Sequence, residues 1–287
     1  MRDIRVRMRS VKQSLQVTTA MKLISTSKLR KARRRLEETR PFFEAIRAAL
    51  HDIAERPTDE ENRWFEIRTS KKEQVKATLV VTSDRGLAGG YNHAVIRFAE
   101  QNCPPGSILL PIGVVGKRYF MEKDFVLLED FAVSEKEPTV YEARDIASFA
   151  ADLFLSGRVD SFRVVYMKMI SAVRQEPEMI ELLPFSHERL ASSGRHAFAQ
   201  LITYDYLPND KVFFDHLAPK YIKGVIYGAL VEAFASEQMS RMTAMDAASK
   251  NAKSMLDRLQ LLYNRARQAA ITREVSEIVA GAAALED

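Results

Sequence analysis

The chain has 287 residues, of which 46% are hydrophobic, a size and composition that allow one or two soluble domains with a substantial core. Its 43 Lys and Arg against 38 Asp and Glu give a formal net charge of +5, but thirteen of these cations and only three acidic residues fall within residues 1–40. The positive charge is therefore a property of one end. Cys103 is the only cysteine, which excludes an intrachain disulfide and a multi-cysteine metal site. No apolar run approaches the ~18 residues needed to cross a bilayer, so we expect no membrane-spanning helix.

Residues 1–56 are predicted to form one long helix. Apolar side chains recur at alternating steps of four and three from Ile4 to Ile53, and they fill eleven of the fifteen positions of this seam. Such a pattern is typical of a coiled coil, here about 80 Å long at 1.5 Å per residue. Pro41 should kink or locally loosen the helix, and proline and charge then predict a linker over residues 57–74. Three successive positions of the seam are polar: Thr18, Lys22 and Ser25.

Residues 75–207 show the shorter period of strands and are predicted to form an α/β domain. Strands alternating with helices indicate a mostly parallel, covered sheet. The stretch Met169–Phe185 reads as two strands joined by a turn at Glu176 and Pro177, which predicts an antiparallel hairpin at one edge of the sheet. The polar residues 186–200 predict a loop. The four strand-like runs are VKATLVVTS, SILLPIGVVG, FVLLEDFAV and SFRVVYMKMI.

Residues 208–287 are predicted to form a second long helix. Apolar residues dominate a seam from Val231 to Ala270, after which the pattern slips by one residue and continues at Ile271, Val275 and Ile278. A helix of this length, ~110 Å, needs a partner along it, and the N-terminal helix is the obvious one. The predicted fold class is α/β plus coiled coil: a long antiparallel coiled coil formed by the N- and C-terminal helices, with an inserted Rossmann-like α/β domain.

The sequence offers no motif for catalysis, a cofactor or a metal. The glycine-rich stretch Val80–Asn92 lies where a phosphate could meet a helix N-terminus, but it lacks G-x-G-x-x-G, and we interpret its glycines as allowing a tight strand-to-helix turn. The stretch Gly113–Arg118 has neither the spacing nor the Ser/Thr of a P-loop, and the five histidines are scattered. We therefore expect a non-catalytic chain that has no cofactor.

Three stretches resemble the gamma subunits of F-type ATP synthases, in the order in which that family carries them. VTTAMKLISTSKLRKA (Val17–Ala32) is similar to the family's N-terminal helix, and TSDRGLAGGYN (residues 82–92) to the signature after its first strand. The third and longest match, Ala235–Leu285, resembles its C-terminal helix. Residues 100–200 are only generically similar.

The resemblance implies a rotor rather than an enzyme. In that family one gamma subunit lies within a hexamer of three alpha and three beta subunits and turns with the membrane ring of c subunits, alongside epsilon. Ion flow, of H⁺ or Na⁺, is thereby coupled to ATP synthesis or hydrolysis at catalytic sites on beta. An asymmetric rod can bias each beta subunit towards a different conformation, according to the face that it presents.

The resemblance also implies which residues contact the hexamer. The family's beta subunits present acidic loops where the basic stretch would pass, so its cations are expected to form the positive half of that contact: Lys28, Arg30, Lys31, Arg33, Arg34 and Arg35. Exposed ion pairs contribute only about 0–1 kcal/mol each, which suits a surface that must slide. A solvated face without a dedicated partner remains the alternative for each position. Four further positions match contact residues of the family: Met21, Arg241, Gln268 and Thr272.

If Met21 lies near Arg241, as the resemblance implies, Met1 lies beside residues near 261 and roughly 24 residues continue as a lone helix of ~36 Å. The small apolar side chains of the tip EIVAGAAALED would suit a helix end that turns within an apolar opening of the hexamer. The alternative is a frayed terminus. The match starts almost at Met1 and lacks the two-cysteine segment of chloroplast members. The expected location is therefore peripheral, on the cytoplasmic face of a bacterial plasma membrane, although a mature organellar chain would look similar.

Two other function classes stay open from the residues alone. A nucleic-acid-binding coiled coil could track phosphates with the basic helix, although residues 1–40 contain no aromatic side chain to stack on bases. A dinucleotide-binding enzyme built on the α/β segment would lack its fingerprint and leave both long helices without a purpose.

Overall fold

The computed structural model describes residues 1–56, 62–68, 74–128, 137–171, 174–191, 206–207 and 209–286. Two long helices, α1 (Arg2–Ala54) and α6 (Asp210–Glu286), begin and end the described chain. This arrangement of terminal helices around an inserted α/β domain confirms the predicted fold class. The elements between them are β1 (Lys76–Val81), α2 (Tyr91–Asn102), β2 (Ile108–Ile112), α3 (Val114–Met121), β3 (Val126–Leu127), α4 (Val140–Leu155), β4 (Ser161–Met169), β5 (Gln175–Leu183) and α5 (His187–Ala191).

The chain divides into two compact units, and α1 and α6 contribute to both. The first, here called the end unit, contains residues 1–26 and residues from Arg241 onward; the second, the domain unit, is Ser27–Ser240. Within the end unit the helices run antiparallel, because partners advance along α1 as they retreat along α6: Arg5 lies over Tyr263, and Lys22 pairs with Asp246.

Within the domain unit α1 and α6 are also antiparallel. The ring of Phe43 lies 6.4 Å from that of Tyr227, and Arg56 lies 3.2 Å from Asp210. Pro41 lies inside α1, which is helical on both sides of it. Five of the predicted seam residues of this part are buried and three are partly buried: Leu29, Ala32, Ile46, Leu50 and Ile53 are buried, and Leu36, Thr39 and Phe43 are partly buried.

The sheet has the order β3-β2-β1-β4-β5, in which β1 pairs in parallel with β2 and β4. Strand β5 is antiparallel to β4 at the edge, which confirms the predicted hairpin. The predicted position of its turn is wrong: Ile170 and Ser171 donate their backbone N–H groups to the carbonyl of Arg174, so the turn precedes β5. Pro177 lies inside β5, opposite Met167. Proline is tolerated there because an edge strand leaves some N–H groups unpaired.

Helix α3 was not predicted, because the run Ile108–Gly116 reads as one apolar strand. The chain breaks at Gly113, which has a φ of 90°, and a side chain there would overlap the backbone of Thr82. Strand β2 therefore ends before Gly113, and α3 follows it. The carboxylate of Asp84, in the glycine-rich stretch, accepts from the N–H of Val114 at 3.1 Å. That stretch thus forms the strand-to-helix turn before α2, and its Asp84 also accepts a hydrogen bond from the first N–H of α3.

The segment predicted as a linker contains an anchored turn. The indole of Trp64 is 4% exposed, stacks on Phe185 at 5.7 Å and donates to Asp215 of α6 at 2.8 Å. The rest of the predicted linker, apart from residues 62–68 and 74, lies outside the described residues. Of the polar residues 186–200, five form α5 and those from 192 lie outside the described residues.

Candidate partner-binding surface

The basic segment comprises the six predicted cations between Lys28 and Arg35, all on α1 within the domain unit. Two residues between them, Leu29 and Ala32, are 6% and 3% exposed. Because residues three and four apart share one helix face, burial of this pair turns the cations onto the flanks and the outer face of the helix.

Two cations of the basic segment are engaged with the α/β domain. Arg33 donates from Nη2 to the Sδ of Met169 at 3.1 Å, which ties α1 to the end of β4. The Nη2 of Arg35 lies 2.8 Å from the Oε2 of Glu137, just before α4. Both side chains therefore help to hold the domain on the helix.

Two more cations of the basic segment, Lys28 and Arg34, have partners on the long helices α6 and α1. The Nζ of Lys28 lies 5.9 Å from the ring centre of Phe234 on α6, a cation–π contact. Arg34 donates to Glu38 one turn further along α1 at 2.7 Å, yet its side chain is 81% exposed. Such exposed pairs along a helix are weak, so an incoming carboxylate can replace Glu38.

Arg30 and Lys31 differ from the other four. Both are exposed, and neither has an ion pair or a hydrogen bond among the described residues. They are the part of the basic segment that the chain itself leaves available to the carboxylates of another protein.

The polar interval of the seam is filled by cross-helix contacts in the end unit. Ser249 donates to the hydroxyl of Thr18 at 2.8 Å, and the Nζ of Lys22 lies 2.6 Å from Asp246. Lys250 reaches the second oxygen of the same carboxylate at 2.8 Å. Hydrogen bonds from the two lysines lower the pKa of Asp246 to about 2. Two of the three polar seam residues, Thr18 and Lys22, therefore meet polar partners on α6.

Met21 is partly buried, and exposed apolar side chains surround it on α1. Val17, Leu23 and Ile24 are 58%, 64% and 56% exposed, a site that the sequence analysis missed. The available signal was the presence of large apolar residues outside the seam, next to its polar interval. An exposed cluster of this kind on a helix suits contact with another protein.

The three predicted positions on α6 fall into two environments. Arg241 is only 9% exposed, so its guanidinium is largely withdrawn from solvent in the isolated chain. Gln268 and Thr272 are exposed, which leaves both side chains available to a partner.

The predicted register of the end unit is wrong. The pairing of Lys22 with Asp246 places Met21 level with residues near 247, about 9 Å along the axis from Arg241. Arg5 lies over Tyr263, so Met1 is level with residues near 267 instead of 261.

The slipped seam at the end of α6 is not formed within the chain. Ile271, Val275 and Ile278 are 51%, 53% and 71% exposed. The observed register leaves no part of α1 beside them, so this apolar stretch is unpaired among the described residues. The side chains of the tip, from residue 280, lie outside the description.

The whole chain matches a known family. The family model described as ATP synthase covers residues 1–285. A relative named "ATP synthase gamma chain", from Ruminiclostridium cellulolyticum, is 44% identical and aligns with 100% of this chain and 99% of its own length. The chain belongs to the ATP synthase gamma chain family. A second relative, "ATP synthase gamma chain, sodium ion specific" of Acetobacterium woodii, is 34% identical over 99% of this chain and 98% of its own.

A solved structure shares the fold. A chain of the Euglena gracilis mitochondrial ATP synthase matches with a TM-score of 0.62 at 16% identity, over 99% of this chain and 94% of that chain. A central-stalk chain from Tetrahymena thermophila mitochondria matches with a TM-score of 0.56 at 24% identity, over 81% of this chain and 99% of that chain.

Membership of the gamma chain family decides the main function prediction. The chain is the central stalk of an F-type ATP synthase and a non-catalytic subunit of it, because catalysis resides on beta. Its association with the membrane is peripheral, through that complex. Within the described residues, no helix combines the length and apolarity that a membrane span requires. The family match supports this function and not the nucleic-acid-binding alternative.

Proposed function

We propose that the chain turns as a shaft inside a hexamer of three alpha and three beta subunits, one copy per hexamer, and couples ion flow through the c ring to catalysis on beta. The observation that carries this proposal is the 44% identity to a gamma chain over the full length of both. Rotation then presents each beta subunit in turn with a different face of the same rod, and differential contact with each face shifts that subunit's conformation.

Within this shaft, the contact with acidic loops of beta centres on Arg30 and Lys31. Their exposure and lack of internal partners support this role. Arg34 joins them by exchanging Glu38 for a carboxylate of beta. Lys28, Arg33 and Arg35 add positive potential while they stay attached to their own partners, Phe234, Met169 and Glu137.

A second contact surface consists of apolar and polar residues of the end unit. Met21 and its exposed apolar neighbours provide a surface for the hexamer on α1. Gln268 and Thr272 provide exposed hydrogen-bonding groups on α6. Arg241, being nine-tenths buried, acts on alpha or beta only through a small exposed part or after a side-chain rearrangement.

The α/β domain lies at the foot of the shaft, against epsilon and the c ring, on the cytoplasmic face of a bacterial plasma membrane. The bacterial origin of the relatives from Ruminiclostridium cellulolyticum and Acetobacterium woodii supports this location. We assign the domains as 1–56 for the N-terminal helix, 57–74 for a linker, 75–207 for the α/β domain and 208–287 for the C-terminal helix.

Reconstitution with cognate alpha and beta subunits tests the proposal. We expect a complex with one copy of the chain per three alpha and three beta, and an ATPase rate above that of alpha and beta alone. Mass measurement and steady-state ATP hydrolysis report the two results. Failure of the chain to enter any complex at moderate salt would contradict the assignment.

Charge reversal then tests the basic segment. The double variant Arg30→Glu/Lys31→Glu should slow ATP hydrolysis by the reconstituted complex by up to about tenfold, because each exposed pair contributes only about 0–1 kcal/mol. The loss should shrink at high salt, which screens exposed charges. The matched control Lys123→Glu/Arg144→Glu makes the same charge change on the α/β domain and should leave the rate unchanged. Equal losses in both variants would show that net charge, and not this surface, matters.

A further inference from the structure

Strand β4 continues past the end of its parallel neighbour β1. The last residue of β4 that pairs with β1 is Val165, opposite Val80, whereas β4 runs on to Met169. Within the described residues, this last part of β4 therefore has a neighbouring strand only on the side of β5. Backbone groups that are withdrawn from water need hydrogen-bond partners, so those that no strand satisfies must find them elsewhere.

Helix α6 supplies partners for two such groups. The backbone N–H of Met169 donates to the carboxylate of Glu232 at 3.1 Å. The hydroxyl of Ser236, which is fully buried, donates to the carbonyl of Met167 at 3.1 Å. The end of β4 is therefore bound to α6 through its own backbone, in addition to side-chain packing.

A third contact links the same helix to β5. The hydroxyl of Ser240 donates to the side-chain oxygen of Gln175, the residue opposite Met169 in the hairpin, at 2.8 Å. Glu232, Ser236 and Ser240 follow one another at intervals of four residues, so they share one stripe of α6 that is about 12 Å long. We call these three contacts the hairpin joint. All of it lies within the domain unit.

The end of β4 is bound to the other long helix as well. Arg33 of α1 donates to the Sδ of Met169 at 3.1 Å. Met169 thus contacts α6 through its backbone and α1 through its side chain. The hairpin joint is therefore placed where the sheet meets both long helices of the domain unit.

The hairpin joint resists a turn of α6 about its own axis. Apolar packing is non-directional, whereas a hydrogen bond weakens steeply once its donor and acceptor lose their alignment. A turn of about 40° moves an atom that is about 5 Å from the helix axis by roughly 3.4 Å. Contacts of 2.8–3.1 Å do not survive such a shift, and the three break together because they lie on one stripe.

We propose that the hairpin joint transmits rotation between the α/β domain and α6, with Glu232, Ser236 and Ser240 as positioning residues that keep the helix from turning within the domain. This inference rests on the rotary function proposed above. Rotation passes through the α/β domain only when the c ring is attached, because that function places the domain against the ring. The joint therefore matters for coupled ATP synthesis and not for ATP hydrolysis by a complex of alpha, beta and this chain alone.

The double variant Ser236→Ala/Ser240→Ala tests the joint, because it removes two hydroxyl donors and keeps good helix formers at both positions. In the complete enzyme in lipid vesicles, ATP synthesis driven by an imposed H⁺ or Na⁺ gradient should fall by up to about tenfold, an effect that two lost hydrogen bonds can produce. ATP hydrolysis by the soluble complex with alpha and beta should be unchanged. Ser240→Ala alone, at a partly buried site, should lower synthesis less, and Ser240→Thr, which keeps the hydroxyl, should not lower it.

The control is Ser148→Ala/Ser156→Ala, which makes the same two substitutions at α4 of the same unit. Ser148 is exposed, and Ser156 donates to the carbonyl of Leu153 at the end of its own helix. This variant should synthesise ATP at the rate of the wild type.

Three results would overturn the proposal: full synthesis by Ser236→Ala/Ser240→Ala, equal factors of loss in synthesis and in soluble hydrolysis, or the same loss of synthesis in the control. A failure of the rotary function is distinguishable from these, because it would be seen in the wild type. A wild-type chain that supports neither hydrolysis with alpha and beta nor synthesis in vesicles would overturn that function, and this proposal with it.

Discussion

The two antiparallel helix pairs of α1 and α6 follow one heptad pattern but are held together differently. In the domain unit the seam is apolar and closely packed, with Leu50 fully buried and Gly224 in contact with Phe43. In the end unit the seam includes Thr18 and Lys22, which meet polar partners. Apolar burial contributes about 25 cal/mol per Å², whereas exposed ion pairs contribute little. The comparison teaches that the pattern sets helix pairing, while the residues in the seam set its strength.

The largest effect should come from truncating the same residue type in both pairs. Leu50→Ala should lower the free energy of unfolding by about 3 kcal/mol, because it leaves a cavity in a fully buried site. Leu15→Ala, on the same seam where it is only partly buried, should cost about 1 kcal/mol. Urea unfolding followed by circular dichroism measures both. Equal losses would remove the distinction between the two pairs.

A smaller effect should come from adding a methyl group to Gly224 of α6, where the helix lies against the ring of Phe43 on α1. In Gly224→Ala the new Cβ would overlap the ring of Phe43, so we expect a loss of about 2 kcal/mol from overpacking. The unfolding midpoint in urea reports it.

Gly228→Ala is the matched control, because it makes the same substitution four residues later on α6, where a Cβ meets nothing within 4 Å. That variant should gain about 0.5–1 kcal/mol from helix propensity. A gain in both variants would mean that Phe43 moves aside and that the packing of this pair is loose.

The two long helices and the strands of the sheet were predictable, but α3, α5 and the register of the end unit were not. Seam periodicity indicates which face of α1 and α6 is buried, yet it repeats with every heptad. A shift of α1 along α6 by about one heptad therefore satisfies the pattern equally well. The predicted neighbours of Met1 on α6 differ from the observed ones by roughly that shift. The pairing of Lys22 with Asp246, a single contact between distant residues, fixes the register.

The candidate surface was predictable as a set of cations but not as individual roles. Periodicity alone could not show that Arg33 and Arg35 have partners within the chain whereas Arg30 and Lys31 have none among the described residues. The partners of Arg33 and Arg35, Met169 and Glu137, lie more than a hundred residues further along the chain. Which cation is engaged depends on where the α/β domain docks, and that is a property of tertiary structure. The role of each cation towards beta stays a prediction.

The smallest effect should come from Asp246→Asn, which removes the charge that Lys22 and Lys250 share in the end unit. These lysines hold the pKa of Asp246 at about 2, below its ordinary value of 3.8. A depressed pKa stabilises the folded state above the unfolded pKa, and this contribution is lost as the pH falls through the folded pKa. The free energy of unfolding at neutral pH should therefore be higher for the wild type than for Asp246→Asn. This difference, the gap between the two proteins, should shrink towards pH 2 and in high salt.

Asp257→Asn is the control for this last comparison, since Asp257 is exposed on the same helix without an ion pair among the described residues. Its difference from the wild type should be smaller than that of Asp246→Asn at neutral pH. If the gap for Asp246→Asn persisted at low pH and in high salt, hydrogen bonding and not charge would hold the polar seam. The end unit would then resemble the domain unit, because the pairing of its helices would depend on direct contacts between side chains and not on their charge. If the gap closes as expected, the pairing of the end unit responds to ionic conditions that leave the apolar seam of the domain unit unchanged.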